Sequence, residues 1–254
     1  MYQYNADFYR SINNGAVRSA RATIPALTQR LPIPITTVLD VGCGAGAWLS
    51  VWKEHGCQVT GLDGDYVDRS MLMIDGCEFH ARDLARPFQM PARFDIAQSL
   101  EVAEHLPASA AAQFVECLCS ASDMVLFSAA PPGQGGENHI NEKPYTYWKA
   151  FFEQRGYLMY DVVRDSIIDN PHVMPWYRYN TFLFINEMQL PAVHASLSQY
   201  LIEPGEEPKD KSPKLYQARK RLINLLPTHY STQIAVLKKK ILTRKFRLKE
   251  RPDV

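Results

Sequence analysis

The run Val38-Leu39-Asp40-Val41-Gly42-Cys43-Gly44-Ala45-Gly46 constrains this chain more than any other stretch. Its first four residues, three of them apolar, read as a short buried strand, and the glycines at 42, 44 and 46 read as a tight turn. Ala47-Trp48-Leu49-Ser50-Val51-Trp52 then takes up a helical period. A strand that passes through glycines into a helix lets backbone approach a ligand at the helix N-terminus, as nucleotide-binding α/β sheets do. The G-x-G-x-G spacing departs from the G-x-G-x-x-G that cradles a pyrophosphate. A carboxylate at Asp40 would repel such an anion and suits a cationic ligand.

The rest of the chain repeats the strand-then-helix pattern that builds a mainly parallel sheet with helices on both faces. Strands are expected over 36–42, 58–63, 77–84, 94–101, 123–130, 157–165 and 178–186. Helices are expected from Ala47 to a stop at Gly56, over 109–121, and from Tyr145 to a stop at Arg155-Gly156. The expected fold is therefore α/β: a Rossmann-like, seven-stranded, mostly parallel sheet with helices on both faces and a basic helical C-terminal tail. Residues 1–34 form an N-terminal helical cap, 35–202 the sheet domain, and 203–254 a charged linker with a basic amphipathic tail.

The 254 residues, 46% of them hydrophobic, suffice for one sizeable core. Of 28 Lys/Arg and 27 Asp/Glu, 14 and 5 fall in residues 206–254, so an acidic body carries a basic tail. The body is thus excluded as a nucleic-acid cradle, and the tail is the one segment suited to phosphates or an anionic membrane. Glu203-Pro204-Gly205-Glu206-Glu207-Pro208 opens a stretch of linker composition. Beyond it lie basic helices over 215–226 and 231–248; in the second, Ile234, Leu237, Ile241 and Leu248 share one face, while Lys238, Lys239, Arg244 and Lys245 hold others.

Five cysteines, an odd number, read as reduced thiols in core elements of a cytosolic protein, and Cys117-x-Cys119 lacks the second pair a zinc site requires. No basic leader precedes an apolar run, and no stretch approaches a membrane span in length, so a cytoplasmic chain that neither is secreted nor crosses a membrane is expected.

The glycine turn with its preceding acid resembles motif I of class I S-adenosylmethionine-dependent methyltransferases. The resemblance covers roughly residues 35–186. It implies that Asp40, Gly42, Cys43, Gly44 and Gly46 hold the amino-acid part of the cofactor. Asp63, at the end of the second strand, stands where a carboxylate accepts both ribose hydroxyls, with Gly64 beside it. Asp83 and Leu84 end the third strand, where the resemblance implies contacts to the adenine amino group and ring; Ser99 and Leu100 end the fourth. Tyr4, Phe8, Tyr9 and Arg18 fall in an expected helical hairpin that, in relatives of this fold, closes over the cofactor. A strand-end Asp can equally cap the next helix.

Glu101, Glu104 and His105 follow the fourth strand as E-x-x-E-H, and His139 comes from the loop after the fifth. This pattern resembles the divalent-metal site of small-RNA 3′-terminal 2′-O-methyltransferases, and is also similar to ubiquinone-pathway O-methyltransferases. It implies Glu101, Glu104, His105 and His139 as ligands for magnesium, manganese, iron, nickel or zinc beside the acceptor hydroxyl. The metal-free alternative leaves His105 or His139 as general base with Glu104 beside it. The loop after the fifth strand is expected to roof the site, with Tyr145, Tyr147 and Trp148 lining an acceptor pocket or packing as core, and Trp176, from the cluster before the last strand, forming its far wall.

Together these readings predict an S-adenosylmethionine-dependent O-methyltransferase acting on a small molecule or glycan precursor, peripherally at the inner membrane face through its tail. The rivals are an RNA 2′-O-methyltransferase, for which the tail would track phosphates, and a cofactor-binding scaffold without catalysis.

Overall fold

The computed structural model describes residues 6–225 and 233, with side chains from residue 13 onward. Apart from Gln233, the second basic helix expected over 231–248 lies outside the described residues, as do Tyr4 and the side chains of Phe8 and Tyr9. Eight strands form one sheet: β1 (Thr37–Val41), β2 (Gln58–Asp63), β3 (Phe79–Ala81), β4 (Ile96–Leu100), β5 (Met124–Ser128), β6 (Tyr157–Tyr160), β7 (Phe182–Asn186) and β8 (Leu201–Ile202), in the order β3-β2-β1-β4-β5-β7-β6-β8.

β3, β2, β1, β4 and β5 run parallel, whereas β7 pairs antiparallel with both β5 and β6, and β8 antiparallel with β6. The central strands β4 and β5 are buried at all five positions, as a sheet covered on both faces demands. The strand order reverses between β1 and β4, the switch point at whose carboxyl ends open α/β sheets place their ligands.

Eight helices flank the sheet among the described residues: α1 (Ala6–Thr28), α2 (Ala47–Glu54), α3 (Ala111–Ala121), α4 (Tyr145–Glu153), α5 (Arg164–Ile167), α6 (Pro175–Asn180), α7 (Pro191–Leu197) and α8 (Lys214–Asn224). One core packs α1 and α2 against one face through Ala20, Ile24, Leu27, Leu49 and Trp52. The other packs α3 and α4 through Phe114, Leu118, Trp148 and Phe152, with Phe152 stacked on Phe184. None of the described helices is long and apolar enough to cross a membrane.

Several expectations change. The sixth strand ends at Tyr160, and Arg164 already opens α5. The third strand shrinks to Phe79–Ala81 because Gly76–Glu78 makes a helical turn, its Glu78 carboxylate accepting from the Asp75 amide and pairing with Lys53. The seventh begins at Phe182 because Pro175 opens α6, proline being preorganised for a first helical turn. The eighth strand, two residues long, has no periodicity to announce it. The N-terminal hairpin is one continuous helix: Gly15 sits inside α1, where a Cβ would meet Met174 Sδ at 2.9 Å, so the missing side chain serves packing and not a turn. Arg18 on this helix is exposed.

Residues 203–225 pack on the sheet domain. The buried Lys149 ammonium donates to the Glu203 and Glu206 carbonyls. Arg164, buried and paired with Asp161, donates to the Lys209 carbonyl at 3.0 Å. Lys211 pairs with Asp161, and Lys220 with Asp210. A stretch of linker composition is thus fixed by long basic side chains reaching its backbone. All five cysteines are unpaired; four are buried, while Cys77 is exposed and not in the core.

Candidate active site

The turn after β1 owes its shape to a close approach. Gly42 has φ 90°, and a Cβ there would lie 2.2 Å from Val102 Cγ2, so only glycine fits between β1 and the segment after β4. Gly44 faces open space, and Gly46 leads directly into α2. Asp40 pairs in register with Gln98 of β4, whose amide donates to its carboxylate at 2.8 Å. The Trp52 indole in turn donates to Gln98 at 2.9 Å. Asp40 is only 3% exposed, and burial pushes its carboxyl up to about 7 despite the Gln98 bond.

Asp63 at the end of β2 accepts from the Gly44 amide (2.7 Å), the Gly64 amide (2.7 Å) and the Tyr66 hydroxyl (2.6 Å). It therefore ties the glycine turn to the neighbouring strand. Leu84 is buried. Asp83 is exposed and accepts from the Ala85 amide while pairing with Arg86, so in this conformation it caps the local turn. Ser99 is buried and donates to the Val41 carbonyl, bonding β4 to β1; Leu100 is core, and the buried Cys43 thiol packs at Gly61.

Beyond β4 the chain turns sharply. Glu101 adopts φ 59°, a left-handed conformation that a non-glycine residue holds only under compensation. Its amide donates to the carbonyl and hydroxyl of Ser128, and its carboxylate accepts from Gln134 Nε2 (2.6 Å) and Asn180 Nδ2 (3.2 Å). The following turn, Ala103–His105, carries Glu104 inward at 0% exposure, with neither carboxylate oxygen in a hydrogen bond.

One ligand-capable atom from each of Glu104, His105 and His139 lies within 4.8 Å of the others. The imidazoles meet edge to face at 4.8 Å between centroids. His139 Nδ1 donates to Glu142 Oε1 at 2.8 Å, and His105 Nδ1 to the Asn138 carbonyl at 3.2 Å. Since both acceptors lack hydrogens, each Nδ1 carries a proton, and Nε2 is the ring atom left to meet a ligand. Burial, then the neighbouring Glu101 charge, raise the Glu104 carboxyl well above the usual range. Burial and His139 lower His105 to about 4, so it is neutral near pH 7.

Glu101, expected among the metal ligands, is outside this group, because the Gln134 and Asn180 amides occupy its oxygens. Trp148, expected to line a pocket, is 2% exposed and packs on Phe127 in the core. Tyr147 is half-buried between Trp148 and Phe151, and Trp176 packs on Tyr177. Tyr145 reaches the site indirectly: its hydroxyl donates to Asn180 Oδ1 at 2.8 Å.

Sequence reasoning missed the residues that organise this loop. Gln134 and Asn180 bond each other at 2.7 Å as well as Glu101. Glu142 accepts from the Gly133 and Gly135 amides in addition to His139, and its spacing from His139 was the one readable signal. Gly136 lies under the imidazole, where a Cβ would sit 2.0 Å from His139 Nε2. Gly136→Ala is therefore expected to displace His139 and lower turnover about 100-fold while leaving cofactor affinity unchanged. Steady-state kinetics beside calorimetric cofactor titration check this; unaltered turnover would mean that the position of His139 is immaterial.

The family described as Methyltransferase domain matches residues 11–158. The ubiquinone biosynthesis O-methyltransferase of Stutzerimonas stutzeri is 36% identical over 77 residues, 28% of this chain and 33% of that protein. Its counterpart in Pseudomonas paraeruginosa is 31% identical over 90 residues, 32% of this chain and 38% of that protein. The chain spans about a third of the length of these curated relatives. In fold it is similar to the sugar N-methyltransferase KedS8 from a Streptoalloteichus species, with a TM-score of 0.54 at 15% identity over 73% of this chain and 95% of that one. Matched over more than half of its length and built on this sheet order, the chain belongs to the class I S-adenosylmethionine-dependent methyltransferases.

Proposed function

We propose that this methyltransferase acts on a hydroxyl group of a small-molecule or glycan-precursor acceptor, with a divalent cation held by Glu104, His105 and His139. The observation that carries the reading is the Glu104 carboxyl, fully buried, without a hydrogen bond, and facing two imidazoles whose Nδ1 atoms are already committed. An orphaned acid in such a place is costly unless a cation completes it. One carboxylate and two imidazoles suit magnesium through zinc. The open space before Gly44, beside the buried Asp40 and Asp63, likewise suits a cationic nucleoside.

When bound, S-adenosylmethionine would supply an electrophilic methyl and leave as S-adenosylhomocysteine, while the cation would ease loss of the acceptor hydroxyl's proton to solvent. The chain's own residues do the positioning. Asp40 and the glycine turn would hold the amino-acid end, and Asp63 would take the ribose hydroxyls. Leu84 and Leu100 line the apolar side. The Nδ1 bonds to Glu142 and Asn138 fix both imidazole orientations, and Gln134, Asn180 and Glu101 fix the loop that roofs the acceptor. Alignment of acceptor oxygen and methyl then provides most of the acceleration. The unpaired cysteines support a reducing, cytoplasmic setting, and the basic tail supports contact with the inner membrane face.

The test incubates the protein with methyl-labelled S-adenosylmethionine, manganese, and matched panels of catechols, vicinal sugar diols and their amino analogues. Label in methyl ethers is expected. Label confined to amines, or to RNA with steep salt dependence, would overturn the hydroxyl assignment.

A further inference from the structure

Helix α8 presents two faces of different character. The inner face is bonded to the roof loop: Arg219 donates to the Gln134 carbonyl at 3.2 Å, and Tyr216 packs on Tyr179 with ring centroids 5.5 Å apart. The buried Lys220 pairs with Asp210, and its backbone carbonyl approaches Gly133 so closely that a Cβ there would lie 1.9 Å away. Ile223 borders Gly135. This helix is therefore fixed to the segment that carries Gln134 and His139.

The outer face is apolar and exposed. Leu215, Leu222 and Leu225 are 84%, 67% and 80% exposed, with exposed Ala218 between them. Steps of three, four and three residues set these four on one stripe of the helix. Exposed Lys214 and Arg221 flank the stripe, and from Lys214 to Leu225 there are four basic residues and no acidic one. The sequence that follows, 226–254, adds eight Lys/Arg against two Asp/Glu.

We propose that the outer face of α8 docks on an anionic lipid bilayer, presenting the roof loop and the catalytic histidines to an acceptor carried at that surface. A second copy of the chain is disfavoured, because self-pairing would bring like charges together. Nucleic acid would answer the basic residues and leave the leucine stripe unexplained. A planar anionic surface takes aliphatic side chains and flanking cations at once and needs no complementary groove, which suits a convex helix. The inference rests on the hydroxyl-transfer reading only for where the acceptor is presented; docking itself stands on α8.

The test is co-sedimentation of the full chain with vesicles of phosphatidylglycerol in phosphatidylcholine, against vesicles of phosphatidylcholine alone. The wild type is expected to bind the anionic vesicles, with binding falling as salt rises. The Leu215→Ser/Leu222→Ser/Leu225→Ser variant is expected to lose about tenfold in bound fraction, and Lys214→Gln/Arg221→Gln to lose the difference between the two vesicle types. All these positions are exposed, so each variant should keep wild-type S-adenosylmethionine affinity, which serves as the check on folding. Absence of wild-type binding to anionic vesicles, equal binding to neutral ones, or undiminished binding by the triple-leucine variant would overturn the proposal; the last would assign the tail or another partner to lipid or to this face. Retention on an acidic protein or RNA in place of vesicles would do the same. Methyl transfer to soluble acceptors is read separately, so either inference can fail alone.

Discussion

Asp40→Asn is expected to make the cofactor-free protein more stable above pH 7 by on the order of 4 kcal/mol, while weakening S-adenosylmethionine binding roughly 10- to 100-fold. The Asp40 carboxyl is raised from 3.8 to about 7, first by burial and against the Gln98 bond. A carboxyl whose folded value exceeds its unfolded value incurs no penalty below the unfolded value. The penalty grows as pH rises between the two and levels off above the folded value. The advantage of the asparagine variant should thus be near zero at pH 4, rise to pH 7 and stay constant beyond. Asparagine keeps a carbonyl for Gln98, so the neighbouring Trp52-Gln98 bond survives. Urea unfolding of both proteins across this range, with cofactor titrations alongside, reads both effects. Parallel stability profiles would show that Asp40 ionises without cost.

Glu104→Gln is expected to lower turnover roughly a thousandfold, equal to about 4 kcal/mol of transition-state stabilisation, with cofactor affinity unchanged. The same substitution should raise the midpoint of thermal unfolding above neutral pH, because it removes an ionisation that burial and the Glu101 charge oppose. A variant both more stable and inactive separates a chemical role from a structural one. Glu142→Gln, which weakens the orientation of His139 without removing a ligand, should cost less, about 10- to 100-fold. If Glu104→Gln lost stability and activity together, Glu104 would belong to the core and not to the chemistry.

What the sequence disclosed follows the range of the interactions. β1, its glycine turn and β2 depend on neighbours a few residues apart, so their bounds are readable directly from Val38–Gly46 and Gln58–Asp63. The pairing of Asp40 with Gln98, 58 residues away, depends on the strand order and had no local signal. The same holds for Gln134 and Asn180, 46 residues apart, which took the oxygens of Glu101 and removed it from the ligand group. Tyr145 and Trp148 share one aromatic cluster in sequence, but α4 turns Trp148 onto Phe127 in the core and aims Tyr145 at Asn180. Glu203–Pro208 has the composition of a free linker, and only the distant Lys149 and Arg164, both buried, show why residues 203–209 lie on the domain.

The central claim, a divalent site built from Glu104, His105 and His139, is tested most directly by titrating the metal-free full chain with manganese and following the free ion by electron paramagnetic resonance. One site per chain in the wild type, absent from both Glu104→Gln and His139→Ala while S-adenosylmethionine still binds all three proteins, is the predicted result. Manganese binding that survives in Glu104→Gln, or its absence from the wild type, would contradict the claim and leave His105 or His139 acting without a metal.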